Sequence, residues 1–243
     1  MVIRLYSGGL EGVDAFPVEV EVDYVRQGLP GFSLVGLAET EVREARDRVF
    51  AALRACNFRL PPARITVNLA PAGQRKAGTG YDLPLAVGLL AAAGLIPPDK
   101  LSGLFFTGEL SLTGSLKPVR GVLPLAILAR RHEAAGLVTP PGNAAEAAVV
   151  PGLPVYAPRD LAQCAAFLAG AEALGSPAAG RNRRVVRRLA GLRGGQRPAG
   201  RQARPGNSRR RRAQSADDRA AGQRQNHVGP FVPFVSFCNY TIY

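Results

Sequence analysis

The chain has 243 residues, of which 47% are apolar, and a formal net charge of +13, so it is long enough for one large or two small domains. It contains no run of about 18 uncharged apolar residues, and its first residues lack the apolar segment and cleavage site of a secretory signal, so we expect a cytoplasmic protein that does not associate with membranes. Its three isolated cysteines, Cys56, Cys164 and Cys238, fit a reducing cytoplasm better than a disulfide framework and lack the spacing of zinc ligands, so we expect no bound metal.

The first predicted elements alternate between strands and a helix. PVEVEVDYV (17–25) alternates apolar and charged residues, which predicts a half-buried strand, and FSLVGL (32–37) indicates a short buried strand. Residues 39–56 change to a helical period with one apolar face, and the acidic residues near their start favour the helix dipole. RITVNLA (64–70) returns to the period of a strand.

A glycine-rich loop, PAGQRKAGTGYDLP (71–84), joins this strand to a second helix. Asp82 is a candidate N-cap for that helix. The helix itself, LPLAVGLLAAAG (83–94), is almost wholly apolar, which predicts burial between two layers. LFFTGELSLTGSL (104–116) then predicts a hairpin whose strands are flanked by glycines.

The remaining elements continue the alternation. GVLPLAILARRHEAAG (121–136) predicts a helix that ends at Gly136. A short strand, a short helix, another strand and a last helix follow, at 137–140, 144–150, 154–157 and 160–170. Residues 1–170 are therefore predicted to form one α/β (α+β) domain with a sizeable core.

The loop at 71–84 has the ingredients of a phosphate-binding loop, namely glycines, a lysine, a hydroxyl and a helix start. A P-loop follows the pattern GxxxxGK[ST], in which the lysine comes directly after the second glycine. Here Gly73 and Gly78 have the required spacing, but Thr79 follows directly and Lys76 lies inside the loop. The order of the groups favours a tight connection that uses glycine freedom, so we expect no cofactor-binding residue in this loop.

Three segments resemble the N-terminal domain of the magnesium-chelatase-like AAA+ ATPases, a family that includes a competence-type protein thought to act on branched DNA. They are GLPGFSLVGLAETEVREARDRVFAAL, RITVNLAPAGQRKAGTGYDLPLAVGLLAA and FFTGELSLTGSLKPVRGVLPLAI. The resemblance covers residues 1–170 and implies a ribosomal S5 domain 2-like fold, a mixed sheet with packed helices, similar to the proteolytic domain of Lon-type proteases. It also implies that intact members are hexameric, associate with DNA and use ATP and Mg²⁺. We expect this chain to be monomeric and to bind neither ATP nor Mg²⁺.

The similarity to Lon-type domains raises the question of a serine–lysine dyad, in which the lysine activates the serine for attack. When the loop is aligned from its lysine onward, the serine position falls on Gly80, and the general-base position falls on Leu123. The resemblance therefore implies that no catalytic residue is retained. A displaced pair, Thr79 with Lys76 or Lys117, remains open as a degenerate serine/threonine–lysine peptidase.

Other polar residues have simpler structural explanations. Asp82 and Glu109 could act as acid and base, but an N-cap and a hairpin position account for them. His132 lies near a predicted helix end, where a solvated basic side chain suits the dipole. A basic patch for DNA or another partner would consist of Arg75, Lys76, Lys117 and Arg120. Against such a patch, residues 1–170 hold 16 Lys and Arg and 15 Asp and Glu, which is close to neutral.

Residues 171–243 differ in composition from the rest of the chain. They hold 15 arginines, no lysine and 3 acidic residues. Such a segment predicts a disordered tail that binds nucleic acid nonspecifically. However, phosphate affinity is served equally by lysine, and a tail rich in Arg, Ala, Gly, Pro and Gln without Lys is typical of GC-rich DNA translated in the wrong frame.

Starting each codon of the tail at its second base tests this interpretation. DDRAAGQRQNHVG (217–229) then permits MIGPPGSGKTMLA, which contains a Walker A motif. GLRGGQRP (191–198) and QARPGNS (202–208) permit DFAEVRGQ and KRALEIA, segments that the resemblance implies ahead of the P-loop. We therefore expect a frameshift between about Gly170 and Gly191, which leaves the N-terminal domain of a truncated ATPase and no nucleotide site in the tail.

Overall fold

The structure, a computed structural model, describes residues 2–175. Its strands are β1 (Val2–Glu11), β2 (Asp14–Val25), β3 (Gly31–Val35), β4 (Arg64–Ala70), β5 (Leu104–Phe106), β6 (Glu109–Leu110), β7 (Leu116–Lys117), β8 (Gly136–Val138) and β9 (Val155–Tyr156). Its α-helices are α1 (Thr40–Ala55), α2 (Asp82–Ala92), α3 (Val122–Arg131), α4 (Pro141–Ala147) and α5 (Leu161–Leu168). The predicted disorder of the tail, Cys238 and the shifted-frame segments lie outside the described residues.

Seven strands form one mixed sheet in the order β3-β4-β2-β1-β5-β8-β9, and β6 and β7 form a separate antiparallel pair. In the large sheet, β2 pairs antiparallel with both β1 and β4. The other neighbours, β3 with β4 and the series β1, β5, β8 and β9, are parallel. The α/β class predicted from the alternation of elements is therefore confirmed.

Apolar side chains cover both faces of the sheet in two clusters. In β5, Leu104 and Phe106 belong to the larger cluster, with α1, α2 and α5, whereas Phe105 belongs to the smaller one, with α3 and α4. Because successive strand residues point to opposite faces, the two clusters lie on opposite sides of the sheet. Every residue of Asp82–Ala91 is buried, so the predicted burial of α2 is confirmed.

Strand β1 is missing from the sequence prediction. Its buried residues Ile3 and Leu5 alternate with exposed positions, but one of these, Tyr6, is also hydrophobic, so the alternation is hidden in the sequence. Gly8 and Gly9 suggest a turn. The glycine at position 9 has a different cause, since a Cβ there would lie 2.2 Å from the Phe16 ring. The close approach of that ring from β2, not a turn, requires the glycine.

Three predicted details are wrong. Residues 104–116 do not form one hairpin, because β5 is an inner strand of the large sheet and the hairpin consists of β6 and β7 alone. Helix α3 ends at Arg131, where Glu133 turns the chain with a φ of 54°, and Gly136 instead begins β8. Asp82 is not an N-cap, since it is already the first residue of α2 and its carboxylate has another partner.

Candidate functional site

The loop between β4 and α2 lines a cleft of about 390 Å³ at the carboxyl end of β5. The opposite wall is formed by the segment that leads into α3, and β1 closes one side. The lining residues include Ala77, Gly78, Thr79, Gly80, Tyr81, Thr107, Glu109, Pro118, Val119, Arg120 and Gly121. In α/β sheets, ligands bind preferentially beyond the carboxyl ends of the strands, so this cleft is the candidate site.

Thr79 has a carboxylate partner in this cleft. Its hydroxyl donates a hydrogen bond to Glu109 over 2.5 Å. The neighbouring Gly80, where the resemblance places the nucleophilic serine, faces Thr107, whose hydroxyl would lie 2.9 Å from a Cβ at that position. The serine position therefore carries no side chain, and the space for one is partly filled.

The Lys76 ammonium has a different hydrogen-bond partner from Thr79, because it donates to the carbonyl oxygen of Pro71 at the start of the same loop. The side chain is fully buried, and that burial lowers the pKa of the amine. Its backbone N–H and C=O bond with Leu37 and Glu39 over 3.2 and 3.0 Å. Lys76 thus fastens the loop to the segment after β3 and does not line the cleft.

The other two positions of a possible dyad also lie away from the cleft lining. Lys117 is exposed on β7, and Leu123 is half-buried in the first turn of α3. Among the hydrogen bonds of the described residues, none joins the Thr79 hydroxyl to Lys76 or Lys117. The structure therefore brings Thr79 together with Glu109 and with neither lysine.

Asp82 is fully buried and forms a bidentate ion pair with Arg48 of α1. The Arg48 Nε and Nη2 atoms lie 2.7 and 2.9 Å from its two oxygens, and the Leu110 N–H donates to it over 3.1 Å. Burial raises the pKa of the Asp82 carboxyl, and the hydrogen bonds from Arg48 and Leu110 oppose that shift. The pair joins α1, α2 and β6, which gives Asp82 a structural role in place of the predicted cap.

Arg48 and Glu41 are contributions that the sequence interpretation missed. Glu41 accepts a hydrogen bond from the Gly78 N–H over 3.0 Å, and its own carbonyl accepts one from Arg48 over 3.0 Å. The two residues are seven positions apart, so they lie on one face of α1. The spacing of Glu41 and Arg48 is the feature of the sequence that could have indicated a shared role. Together with Asp82 they hold the loop against α1.

Helix α4 holds the opposite wall of the cleft. The Asn143 side chain donates to the Val119 carbonyl and accepts from the Val119 N–H, both over 2.9 Å. Glu146 accepts from the Leu123 N–H over 2.9 Å and so satisfies a donor at the start of α3. Neither residue was singled out from the sequence, because their partners are about 23 residues away along the chain.

One of the four residues of the predicted basic patch is not at the surface. Arg75, Lys117 and Arg120 are exposed, but Lys76 is buried. His132 is exposed, as predicted, and its ring centroid lies 6.0 Å from that of Phe105.

Across residues 2–175, no group of three or more His, Cys, Asp and Glu could hold a metal ion. In that same part of the chain, no helix has the length and apolar content to cross a membrane.

Comparisons with known proteins identify relatives over most of the described part. The sequence profile of a family described as subunit ChlI of Mg-chelatase matches residues 18–143. Competence protein ComM of Haemophilus influenzae is 44% identical over 170 residues, which are 70% of this chain and 33% of that protein. The protein YifB of Escherichia coli is 40% identical over 166 residues, 68% of this chain and 32% of its own length.

An uncharacterised protein of Mycobacterium tuberculosis is 41% identical over 171 residues, which are 70% of this chain and 34% of that protein. The chain therefore spans about a third of the length of these curated relatives.

Proposed function

This chain belongs to the family of ChlI, a subunit of Mg-chelatase, and from that membership we propose that residues 1–170 are a non-catalytic module of a magnesium-chelatase-like AAA+ ATPase. In the intact protein, the module would sit on an ATPase that uses ATP and Mg²⁺ to remodel DNA or protein. The similarity to a competence protein favours DNA as that substrate.

The observation that carries the proposal is the set of hydrogen-bond partners of Thr79 and Lys76 in the loop. The Thr79 hydroxyl donates to Glu109, whereas the Lys76 amine donates to Pro71 in a buried position. In a serine/threonine–lysine dyad the lysine amine accepts the proton of the hydroxyl, and the Lys76 amine, held by Pro71, does not serve that purpose. Arg48 and Asp82 are joined to each other and hold the loop in place.

An ATPase assay on the full chain tests the main proposal. We expect no phosphate release above the enzyme-free rate with Mg²⁺ and ATP, and a cooperative thermal transition that shows a folded protein. Turnover that rises with protein concentration and persists through purification would contradict the proposal.

Covalent labelling separates the module from a degenerate peptidase. The full chain is incubated with a fluorophosphonate or β-lactone probe, which reacts with activated serine and threonine hydroxyls. We expect no labelling at Thr79, because its hydroxyl lacks a lysine partner. Labelling that disappears in Thr79→Ala and persists in Thr113→Ala, a matched change at an exposed threonine, would establish the peptidase instead.

A second candidate function, nonspecific nucleic-acid binding, is favoured by the 15 arginines of residues 171–243. Such binding releases counterions from the phosphates, so the affinity for a random DNA duplex should fall steeply with salt and be lost when residues 171–243 are removed. An affinity that is independent of salt, or that survives the deletion, would rule out this candidate.

A further inference from the structure

A second cleft, of about 530 Å³, lies where β1 and β2 approach the carboxyl end of α3. It shares no lining residue with the cleft at Thr79. Its walls combine the aromatic rings of Tyr6 and Phe105 with His132 and the carboxylates of Glu19 and Glu133. The family resemblance and the loop chemistry leave this group of side chains without a role.

The aromatic part of the cleft presents a supported ring to solvent. Tyr6 and Phe105 stack with their centroids 5.6 Å apart and their planes at 21°. Phe105 is buried, whereas Tyr6 is 41% exposed, so the buried ring fixes the orientation of the exposed one. Aromatic faces attract cations, and the planar guanidinium group of arginine stacks on them particularly well.

The charged part of the cleft is acidic. Glu19 is the direct cross-strand neighbour of Tyr6, because the two residues are paired in the register of β1 and β2. Arg4 lies 3.5 Å from Glu19 and 3.3 Å from Glu21, so one guanidinium is shared between two carboxylates. Glu133 adds a further negative charge to the lining.

The end of helix α3 reinforces this potential. The helix finishes at Arg131, and the next residues, His132 and Glu133, line the cleft. The partial negative charge of a helix lies at its carboxyl end. Arg130 and Arg131 lie in the last turn of α3, but neither residue lines the cleft.

We propose that this cleft binds an arginine side chain presented by another protein. The exposed Tyr6 ring supplies a stacking surface, and Glu19 and Glu133 supply acceptors for the guanidinium N–H groups. Nucleic acid is a poorer fit, because its phosphates would face these carboxylates. The site gives this domain a protein-docking role that does not depend on the chemistry of the loop at Thr79.

Calorimetric titration of the full chain tests the proposal with two matched peptides. The probe is acetyl-Gly-Arg-Gly-amide, and the comparison peptide carries citrulline, which is nearly isosteric with arginine but uncharged. We expect saturable binding of the arginine peptide and binding of the citrulline peptide weaker by about tenfold or more. No saturable binding, or equal binding of both peptides, would overturn the proposal.

Single substitutions locate the site. Glu19→Gln and Tyr6→Leu should each weaken the arginine peptide by about fivefold. Glu21→Gln is the matched control, since Glu21 lies on β2 like Glu19 and also pairs with Arg4, but does not line the cleft. The affinity of this variant for the arginine peptide should stay within about twofold of the native value. An equal loss in Glu21→Gln, or unchanged affinity in Glu19→Gln, would contradict the assignment.

Nuclear magnetic resonance checks the choice of partner. The amide signals of Tyr6, Glu19 and Glu133 should move with the arginine peptide in native protein, and those of Glu19 and Glu133 should move less in Tyr6→Leu. If a single-stranded oligonucleotide moves these signals and the arginine peptide does not, the cleft binds nucleic acid and the proposal is wrong.

Discussion

Arg48 and Asp82 illustrate how one buried ion pair can organise a loop. The carboxylate is shielded from solvent and accepts two hydrogen bonds from the guanidinium and one from the backbone of Leu110. Removing one member of such a pair leaves an uncompensated charge in the interior, which is more damaging than losing an exposed pair.

Arg48→Ala should therefore lower the free energy of unfolding by about 3–5 kcal/mol, measured by urea denaturation. Arg54→Ala is the matched control, because Arg54 is an exposed arginine of the same helix, and it should change the free energy by about 0.5 kcal/mol or less. Similar small losses in both variants would show that the pair does not hold the fold together.

Lys76 predicts a dependence of stability on pH. Burial lowers the pKa of its ammonium from the usual 10.5, so between the lowered value and 10.5 the unfolded chain binds more protons than the folded chain. Stability from this group therefore rises as the pH rises through that window. The native protein should gain free energy of unfolding relative to Lys76→Met between pH 7 and pH 10.

Urea midpoints at several pH values measure this difference. Lys100→Met, which removes an exposed lysine, serves as the control for losing a surface amine. A difference between native protein and Lys76→Met that is constant, or that falls with pH, would contradict the buried ammonium.

At the scale of single elements, β3 depends on one glycine at its end. Gly36 has a φ of 106°, and a Cβ there would lie 2.2 Å from the backbone oxygen of Leu69 in the neighbouring strand. Gly36→Ala should therefore cost about 2 kcal/mol or more, from backbone strain and from displacement of β4. Thermal or urea denaturation measures this loss.

The matched variant is Gly31→Ala in the same strand. A Cβ at Gly31 meets no atom within 4 Å, so this change should alter the stability by about 1 kcal/mol or less. Equal effects at the two positions would mean that the approach of Leu69 does not constrain Gly36.

How much of an element could be predicted depended on whether its pattern is local. The strand at 17–25, the strand at 64–70 and helix α2 were predicted closely, because burial on one face or on all faces leaves a periodic trace in the residues themselves. β5 was placed in a hairpin because a three-residue buried strand has no period, and its neighbours β1 and β8 are distant in sequence.

The candidate site was predictable in its loop but not in its supports. Thr79 and Lys76 were recognised from their positions in the glycine-rich segment. Their true partners, Glu109 and Pro71, follow from tertiary geometry. Arg48 looked like one more charge on the solvated face of α1, since the aspartate that it meets lies 34 residues further along the chain.

For the whole molecule, the nucleotide sequence of the gene tests whether the tail results from a frameshift. If the tail is translated out of frame, the nucleotide sequence read one base later from about codon 191 should encode DFAEVRGQ, KRALEIA and MIGPPGSGKTMLA as one continuous reading frame. The matched length of 171 residues, close to the predicted first domain, supports this expectation. Resequencing that DNA is the measurement, and a stop codon early in the shifted frame would refute it.

Strand β5 has only three residues, yet it separates the two halves of the interior and contributes side chains to both. Its amide protons are enclosed by β1 on one side and β8 on the other. We therefore expect them to exchange with deuterium mainly when the entire domain opens, whereas β3, whose ladder among the described strands is with β4 alone, should exchange through fraying. A three-residue strand would then exchange only with global unfolding, and a label placed there would report on the opening of the whole domain.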